Sequence, residues 1–393
     1  MTVRKPVLAD ALECTGCMAC VASCHTSALS RKMGEDGHVY VSLDAEKCVG
    51  CLSCEKVCKK ALSATGNNSL EASSPYAAWA NDGQVRQGAS SGGFATAAGL
   101  WCLQNGGKVV TSAFDGRHAA HTLVSSEEGL RGCQGSKYVW SDASKAYESI
   151  AENLPSGKVL FIGTGCQVAG VLAFFDGHPY RQNLYTIDLI CGGVPSGLLM
   201  QAFFDSNPSV EALTAFRNKR KYELRGIKDG GEVVLPQDSL PLSGFCTEQT
   251  MRGSCYDCPF AFAHRQSDLS IGDFWGDSSP ADQREEGVSL VIVHSEKGRE
   301  ILSEADVSSV PADWRNVLPG NRRLVFGRTP RTALRKSLAH NYRKMSSVQF
   351  SRVYGATSSV SDPLGFAWRL WLHVLRKVYS RKSDKTVKQI LAQ

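Results

Sequence analysis

The sequence predicts a chain in three parts: a small α+β module over residues 1–75, a larger α/β domain with a mainly parallel sheet over 76–330, and a basic helical tail over 331–393. Three observations carry that division. The stretch from Cys14 to Cys58 holds a double run of evenly spaced cysteines. The middle of the chain holds continuous apolar runs that end in glycine turns and open into helices, as strands buried on both faces do. The last stretch repeats apolar side chains at helical spacing.

Cys14, Cys17, Cys20 and Cys24, then Cys48, Cys51, Cys54 and Cys58, each read C-x2-C-x2-C-x3-C. Three thiolates two residues apart wrap a loop around one cluster, and the fourth, on the following turn, points to a neighbour. Two runs therefore imply two 4Fe-4S clusters. In the bacterial-type pattern Cys14, Cys17 and Cys20 share one with Cys58, and Cys48, Cys51 and Cys54 share the other with Cys24. A zinc module or a disulfide framework needs no such double run. The segment resembles a bacterial two-cluster ferredoxin, from which it departs where His25 and Lys59 replace the proline after each fourth cysteine. Those changes remove a turn stiffener and leave every ligand in place.

A chain of 393 residues, 42% hydrophobic, is long enough for two or three domains with sizeable cores. No window approaches the roughly 18 uninterrupted apolar residues of a membrane span, and no apolar signal core precedes Cys14. A cytoplasmic protein is expected. Eight of the 15 cysteines are taken by the double run and the total is odd, which suits a reducing compartment better than a disulfide scaffold. A net charge of +6 spread over 44 basic and 38 acidic residues does not point to nucleic acid.

In chain order, residues 59–84 lose apolar periodicity and fill with Ser, Asn, Gly and Ala, so they read as a connector that can be cut between modules. At Ser90, Ser91, Gly92 and Gly93 a small-residue turn opens a helix that stops at Asn105 and Gly106, and the strand KVVTSAF follows. Such a turn either presents free N–H groups to a cofactor phosphate or is an ordinary helix start. Two later strands end in cysteine: Val159 to Ile162 leads into Gly163, Thr164, Gly165 and Cys166, and a strand ending at Ile190 leads into Cys191, Gly192 and Gly193. Ligands collect at such carboxyl ends. Cys255 and Cys258 form a C-x2-C pair, half of a cluster site, whose missing ligands are candidates among Cys166 and Cys191.

The order SSGGF, GSKYVWSD with Ser136, Lys137 and Tyr138, GTGCQ, CGGVPS, and CYDC before DLSIGDFW resembles the coenzyme F420 hydrogenase/dehydrogenase beta-subunit family over residues 80–330 or so. The resemblance implies an α/β flavoprotein with a further 4Fe-4S cluster on Cys166, Cys191, Cys255 and Cys258. It implies FAD held by Ser90, Ser91, Gly92, Gly93, Ser136, Lys137, Tyr138, Gly163 and Thr164. Members often have proline where this chain has Gly165 and histidine where it has Gly192. The ligands survive both changes.

Cys102, on an apolar helix, reads as a core thiol, while Cys133 and Cys246 are either buried thiols or a redox-active pair. The basic run Phe216 to Lys228 offers Arg217 and Lys219 to an acidic substrate or a flavin phosphate, against the default of a solvated face. In the tail, Leu364, Trp368, Trp371, Leu375 and Val378 make an apolar stripe, with Arg369, Arg376 and Lys377 elsewhere around the helix. Packing on the body or on a partner is the first reading of that helix and contact with a membrane surface the second.

Assembled, these readings describe an iron-sulfur flavoprotein oxidoreductase. It would pass electrons between ferredoxin or another redox protein, its 4Fe-4S clusters and FAD, and a two-electron small-molecule acceptor, coenzyme F420 or another organic substrate. The rivals are a non-catalytic electron-transfer subunit of a hydrogenase or dehydrogenase complex and a ferredoxin-dependent disulfide reductase. The sequence singles out no catalytic residue and leaves self-association open.

Overall fold

The computed structural model describes residues 4–64, 66–219, 221–236, 238–275, 281–325, 332–355 and 363–392, with the backbone alone at 281–282, 363–370, 372–373 and 375–376. The first module is an antiparallel hairpin, β1 (Leu29–Met33) and β2 (Val39–Leu43), with a short helix Ala19–Ala22 before it and the helix Ser53–Ser63 after it. In chain order there follow β3 (Ser74–Ala80), β4 (Lys108–Phe114), β5 (Ala119–Val124), β6 (Ser141–Asp142), β7 (Val159–Thr164) and β8 (Leu184–Leu189). They are succeeded by β9 (Val210–Asn218), β10 (Lys221–Lys228), β11 (Gly231–Val234), β12 (Leu269–Asp273), β13 (Ser289–Val293) and β14 (Val307–Pro311).

Nine of these strands form one sheet in the order β14-β3-β13-β12-β8-β7-β4-β5-β6, and β11-β10-β9 form a small antiparallel sheet beside it. The expected mainly parallel sheet is mixed. β4, β7, β8 and β12 run parallel at its centre, whereas β5, β13, β3 and β14 each join antiparallel. An unbroken apolar run reports burial on both faces and says nothing about direction: β13 is buried at every residue and still runs antiparallel.

Helices cover both faces. The helix Phe94–Gln104 packs Phe94, Ala98, Trp101 and Cys102 against Val109, Leu160, Ile187 and Ile271 on one side. On the other, Tyr147 and Ile150 from the helix Ala146–Asn153, with Val168 and Val171 from Gly165–Phe174, meet Val110, Val159 and Phe161. Met18, Ala19 and Val39 of the first module belong to this same core. The module is therefore built into the body.

The connector is pinned as well. Asn67 bridges to His264, Trp314 Nε1 donates to the carbonyl of Leu70, and Ser73 Oγ bonds Nδ1 of both His264 and His294, at 2.8 and 2.7 Å. Its end is β3, paired on both sides by β13 and β14. The tail is equally integrated. Leu338, Phe350 and Tyr354 share a core with the small sheet, and Val387 and Ile390 pack near Ala77 and Leu290. The final helix, Pro363–Leu391, is buried through Ser383, Val387 and Ile390 and not through the expected stripe: Trp371 and Val378 are exposed, and the side chains of Leu364, Trp368, Arg369, Leu375 and Arg376 lie outside the described residues. Among the described residues no helix is long and apolar enough to cross a membrane.

A cut at residue 80 therefore removes an interior strand of the sheet. Deletion of residues 1–80 is expected to abolish the cooperative thermal transition followed by circular dichroism, and an unchanged melting temperature would show β3 to be dispensable. Acid should also weaken the fold. Burial pushes His294 down to about 3 and His121 down to about 4, so both are neutral inside. Because the unfolded value is near 6.5, the unfolded chain takes up protons first as pH falls, and the stability these groups confer is full above about 6.5 and lost below it. The unfolding free energy from urea titration should drop between pH 7 and pH 5, by about 1.4 kcal/mol per pH unit for each histidine at most, and the midpoint with it. A midpoint flat over that range would contradict the burial argument.

Candidate redox site

The two cysteine loops share one backbone. Gly16 and Gly50, each two residues into its run, have φ of 73° and 72°, and Met18 and Leu52, two residues on, are left-handed at 66° and 59°. Left-handed residues repeated at this spacing curl a loop and turn successive N–H groups inward, a concavity that suits an anion such as a thiolate-bound cluster. The fold also crosses the runs. Cys17 and Cys20 lie within electrostatic reach of Cys14 and Cys58, while Cys24 joins Cys48, Cys51 and Cys54 around a second small cavity.

A third group forms from segments far apart in sequence. Cys166 stands in the first turn of the helix Gly165–Phe174, where Thr164 and Gln167 form a capping box and Thr164 Oγ1 lies 3.2 Å from its sulfur. Cys191 follows β8 and accepts a bond from Gly193 N–H at 3.2 Å. Both are within electrostatic reach of Cys255 and Cys258. Burial, and then the neighbouring thiols, push Cys166 well above its ordinary value and Cys255 up to about 12. Buried thiols so placed ionise only when cations compensate them, which is what iron supplies. Among the described residues no group of three or more His, Cys, Asp or Glu side chains closes around a single ion. A cube of four irons is instead held from its corners.

Beside the third group lies a cavity of about 800 Å³, within the usual range for cofactor sites. Cys166 and Cys191 line it, as do Ser90, Ser91, Gly93, Ser136, Lys137, Tyr138, Gly163 and Thr164. Gly92 does not. Its N–H bonds Ser289 Oγ, Ser91 Oγ donates to the carbonyl of Val288, and a Cβ at Gly92 would sit 2.5 Å from the carbonyl oxygen of Ala78. Much of this turn thus serves close packing on β3 and β13, although no side chain caps the helix that follows. Lys137 is committed too: its amine donates to the carbonyls of Cys133, Gln134 and Gly135, and burial pushes it down to about 8. Arg217 is on the wall and bonds Asp273 at 2.6 Å, whereas Lys219 turns to the carbonyl of Arg86. Cys133 and Cys246 both line the cavity, and Cys102 is fully buried in the core.

The N-terminal module meets this site directly. Tyr147 Oη donates to the carbonyl of Cys17 at 2.7 Å, and Trp140 Nε1 to that of Gly16 at 3.3 Å. A Cβ at Gly170 would lie 2.8 Å from Tyr147 Oη and 3.0 Å from Cys17 Sγ. Since Gly170 is four residues beyond Cys166, Cys17 of the first group meets the helix Gly165–Phe174 about 6 Å, one turn, along its axis from Cys166 of the third. Tyr147, Gly170 and Arg252, the residues of this seam, carry no motif. Their only sequence signal is a bulky or small residue whose partner is more than a hundred residues away.

Comparison with known proteins bears on each part. Residues 13–62 match the family described as 4Fe-4S dicluster domain. Residues 75–148 match the N-terminal domain of the family described as coenzyme F420 hydrogenase/dehydrogenase, beta subunit, and residues 156–310 match the C-terminal domain of that same family. Among solved structures, a chain from "Xenon derivatization of the F420-reducing NiFe hydrogenase complex from Methanosarcina barkeri" is similar, at 19% identity and a TM-score of 0.46, over 76% of this chain and 98% of that one. No curated protein matches.

The seam can be tested through Gly170. Replacing a helical glycine by alanine normally adds about 0.5–1 kcal/mol, but here the new methyl meets Cys17 and Tyr147. Gly170→Ala is expected to destabilise the protein by about 1–3 kcal/mol in urea unfolding, because the packed contact must shift. A stabilised variant would show that the two surfaces are not in contact.

Proposed function

This chain belongs to the coenzyme F420 hydrogenase/dehydrogenase beta-subunit family, with a 4Fe-4S dicluster domain ahead of it, and from that premise we propose that it is an iron-sulfur flavoprotein oxidoreductase. It takes electrons from a ferredoxin-type protein and delivers them in pairs to an organic acceptor bound at the 800 Å³ cavity. The observation that carries this reading is the convergence of Cys166, Cys191, Cys255 and Cys258, the first two of them on the cavity wall.

In this reading Cys14, Cys17, Cys20 and Cys58, then Cys24, Cys48, Cys51 and Cys54, then the four convergent thiols, hold three clusters. FAD occupies the cavity against Ser90, Gly93, Ser136, Tyr138, Gly163 and Thr164. Clusters move electrons singly and a flavin joins them into pairs, which is the chemistry the bound groups would supply. The chain's own contribution is placement. Tyr147 and Trp140 hold the first loop by its carbonyls, Gly170 lets it approach, and the capping box at Thr164 orients the turn that carries Cys166. His121, neutral and bonded to Ile162 and Ser141, keeps charge off the wall beside Gly163. A flavin in the cavity favours an enzyme over a one-electron relay, since pairing electrons serves a two-electron acceptor. It lies in a cytoplasmic setting in this reading, in keeping with its free thiols.

Anaerobically purified protein is expected to contain about twelve iron atoms and matching acid-labile sulfide, together with one extractable flavin. Serine at Cys166, Cys191, Cys255 or Cys258 should erase one and the same paramagnetic signal and leave the other two, and serine at Cys102 should change neither iron nor signals. Zinc in place of iron, or a Cys166 variant that keeps the signal a Cys258 variant loses, would refute the assignment.

A further inference from the structure

Among the described residues Arg252 has the largest fully buried side chain, at 1% exposure. The other buried arginines each face a carboxylate: Arg86 has Glu286, Arg265 has Asp188 and Arg335 has Asp36. Among the described residues Arg252 has none. Its Nη1 donates to the carbonyl of Cys14 at 3.1 Å and its Nη2 to that of Val39, its guanidinium lies 4.8 Å over the Tyr40 ring, and its Nε has no partner. The neighbouring His38 is buried and neutral, with Nε2 against the carbonyl of Thr250, and Asp36 is taken by Arg335 at 2.8 Å. An isolated buried cation costs several kcal/mol unless negative charge stands close by. Arginine does not escape that cost by losing its proton.

The negative charge is available from two sides. On one is the loop of Cys14, Cys17 and Cys20, whose first carbonyl Arg252 holds; a Cβ at Gly16 would sit only 2.6 Å from Nη2. On the other is Cys255, within electrostatic reach and tied by its N–H to the carbonyl of Arg252 at 3.0 Å, while the N–H of Arg252 bonds Val194 at 2.9 Å on the loop that follows Cys191. We propose that Arg252 is the shared counter-charge of the first and third cysteine groups, a positioning residue that stabilises an added electron on either side of the seam and so raises both reduction potentials together. The inference rests on the reading that these groups hold clusters. No bond forms or breaks and no proton moves: one electron is lost on one side of Arg252 and gained on the other. Among the described residues Arg252 makes no hydrogen bond to the group of Cys24, Cys48, Cys51 and Cys54, so its charge favours an electron on the inner two groups over that one.

The test is an anaerobic potentiometric titration followed by paramagnetic resonance on the full chain, with Arg252→Gln and Arg252→Lys beside the parent. Arg252→Gln is expected to keep its iron and to shift two of the three reduction equilibria at least tenfold towards the oxidised form, about 59 mV for one electron. The third signal should stay in place, and Arg252→Lys, which keeps the charge, should stay near the parent. The proposal is overturned if Arg252→Gln moves no midpoint, if all three signals move alike, or if Arg252→Lys moves as far as Arg252→Gln. Should Arg252→Gln fail to hold iron, Arg252→Lys decides: iron retained with unmoved midpoints supports the charge role, and iron lost in both makes Arg252 a packing residue only. A parent protein with two signals would sink the third cluster and this inference together, whereas three parental signals with unmoved midpoints would sink this inference alone.

Discussion

The packing of the Cys14–Cys20 loop against the helix Gly165–Phe174 is the constraint on which the rest of the molecule depends. It needs a residue without a side chain at Gly170, a tyrosine whose hydroxyl reaches the carbonyl of Cys17, and a guanidinium that can bond Cys14 from the opposite side. Because Met18 and Ala19 of that loop also fill the core under β7, the contact cannot loosen without opening apolar surface. The module that reads as separable in sequence is thereby locked to the body.

The same seam explains how charge is distributed. The cations on the cavity wall are all bonded: Lys137 to three carbonyls, Arg217 to Asp273, Arg322 to Asp384 and Arg323 to Glu248. An anionic guest there must rely on backbone N–H groups near the uncapped start of the helix Phe94–Gln104, or must displace one of these pairs. Aromatic surface does the remaining shaping, with Tyr138 stacked on Phe245 at 4.0 Å and Tyr222 close by. Among the described residues, a fully buried arginine without an acidic partner occurs at Arg252, which stands off the cavity wall. The two regions thus differ in charge: the cations on the cavity wall are bonded, whereas Arg252 has no acidic partner among the described residues.

What the sequence by itself determined is whatever local spacing encodes. The double cysteine run, the strands read as ending near Ile162 and Ile190, which the fold ends at Thr164 and Leu189, and the helix that stops at Asn105 are all properties of a few consecutive residues. So is the gathering of motif residues at strand ends, which put Cys166, Cys191, Gly163 and Thr164 on one cavity. Strand direction was not legible in this way, because β13 is as apolar as β7 and burial on two faces looks the same in either orientation. Nor were the fates of Ser91, Gly92 and Lys137, whose hydrogen-bonding groups are spent on partners that only the folded chain supplies. Arg252, Tyr147 and Gly170 acquire their meaning chiefly from contacts with the Cys14–Cys20 loop, more than a hundred residues away. A charge, a hydroxyl and a missing side chain have no spacing to give them away, and only tertiary structure decides what stands next to them.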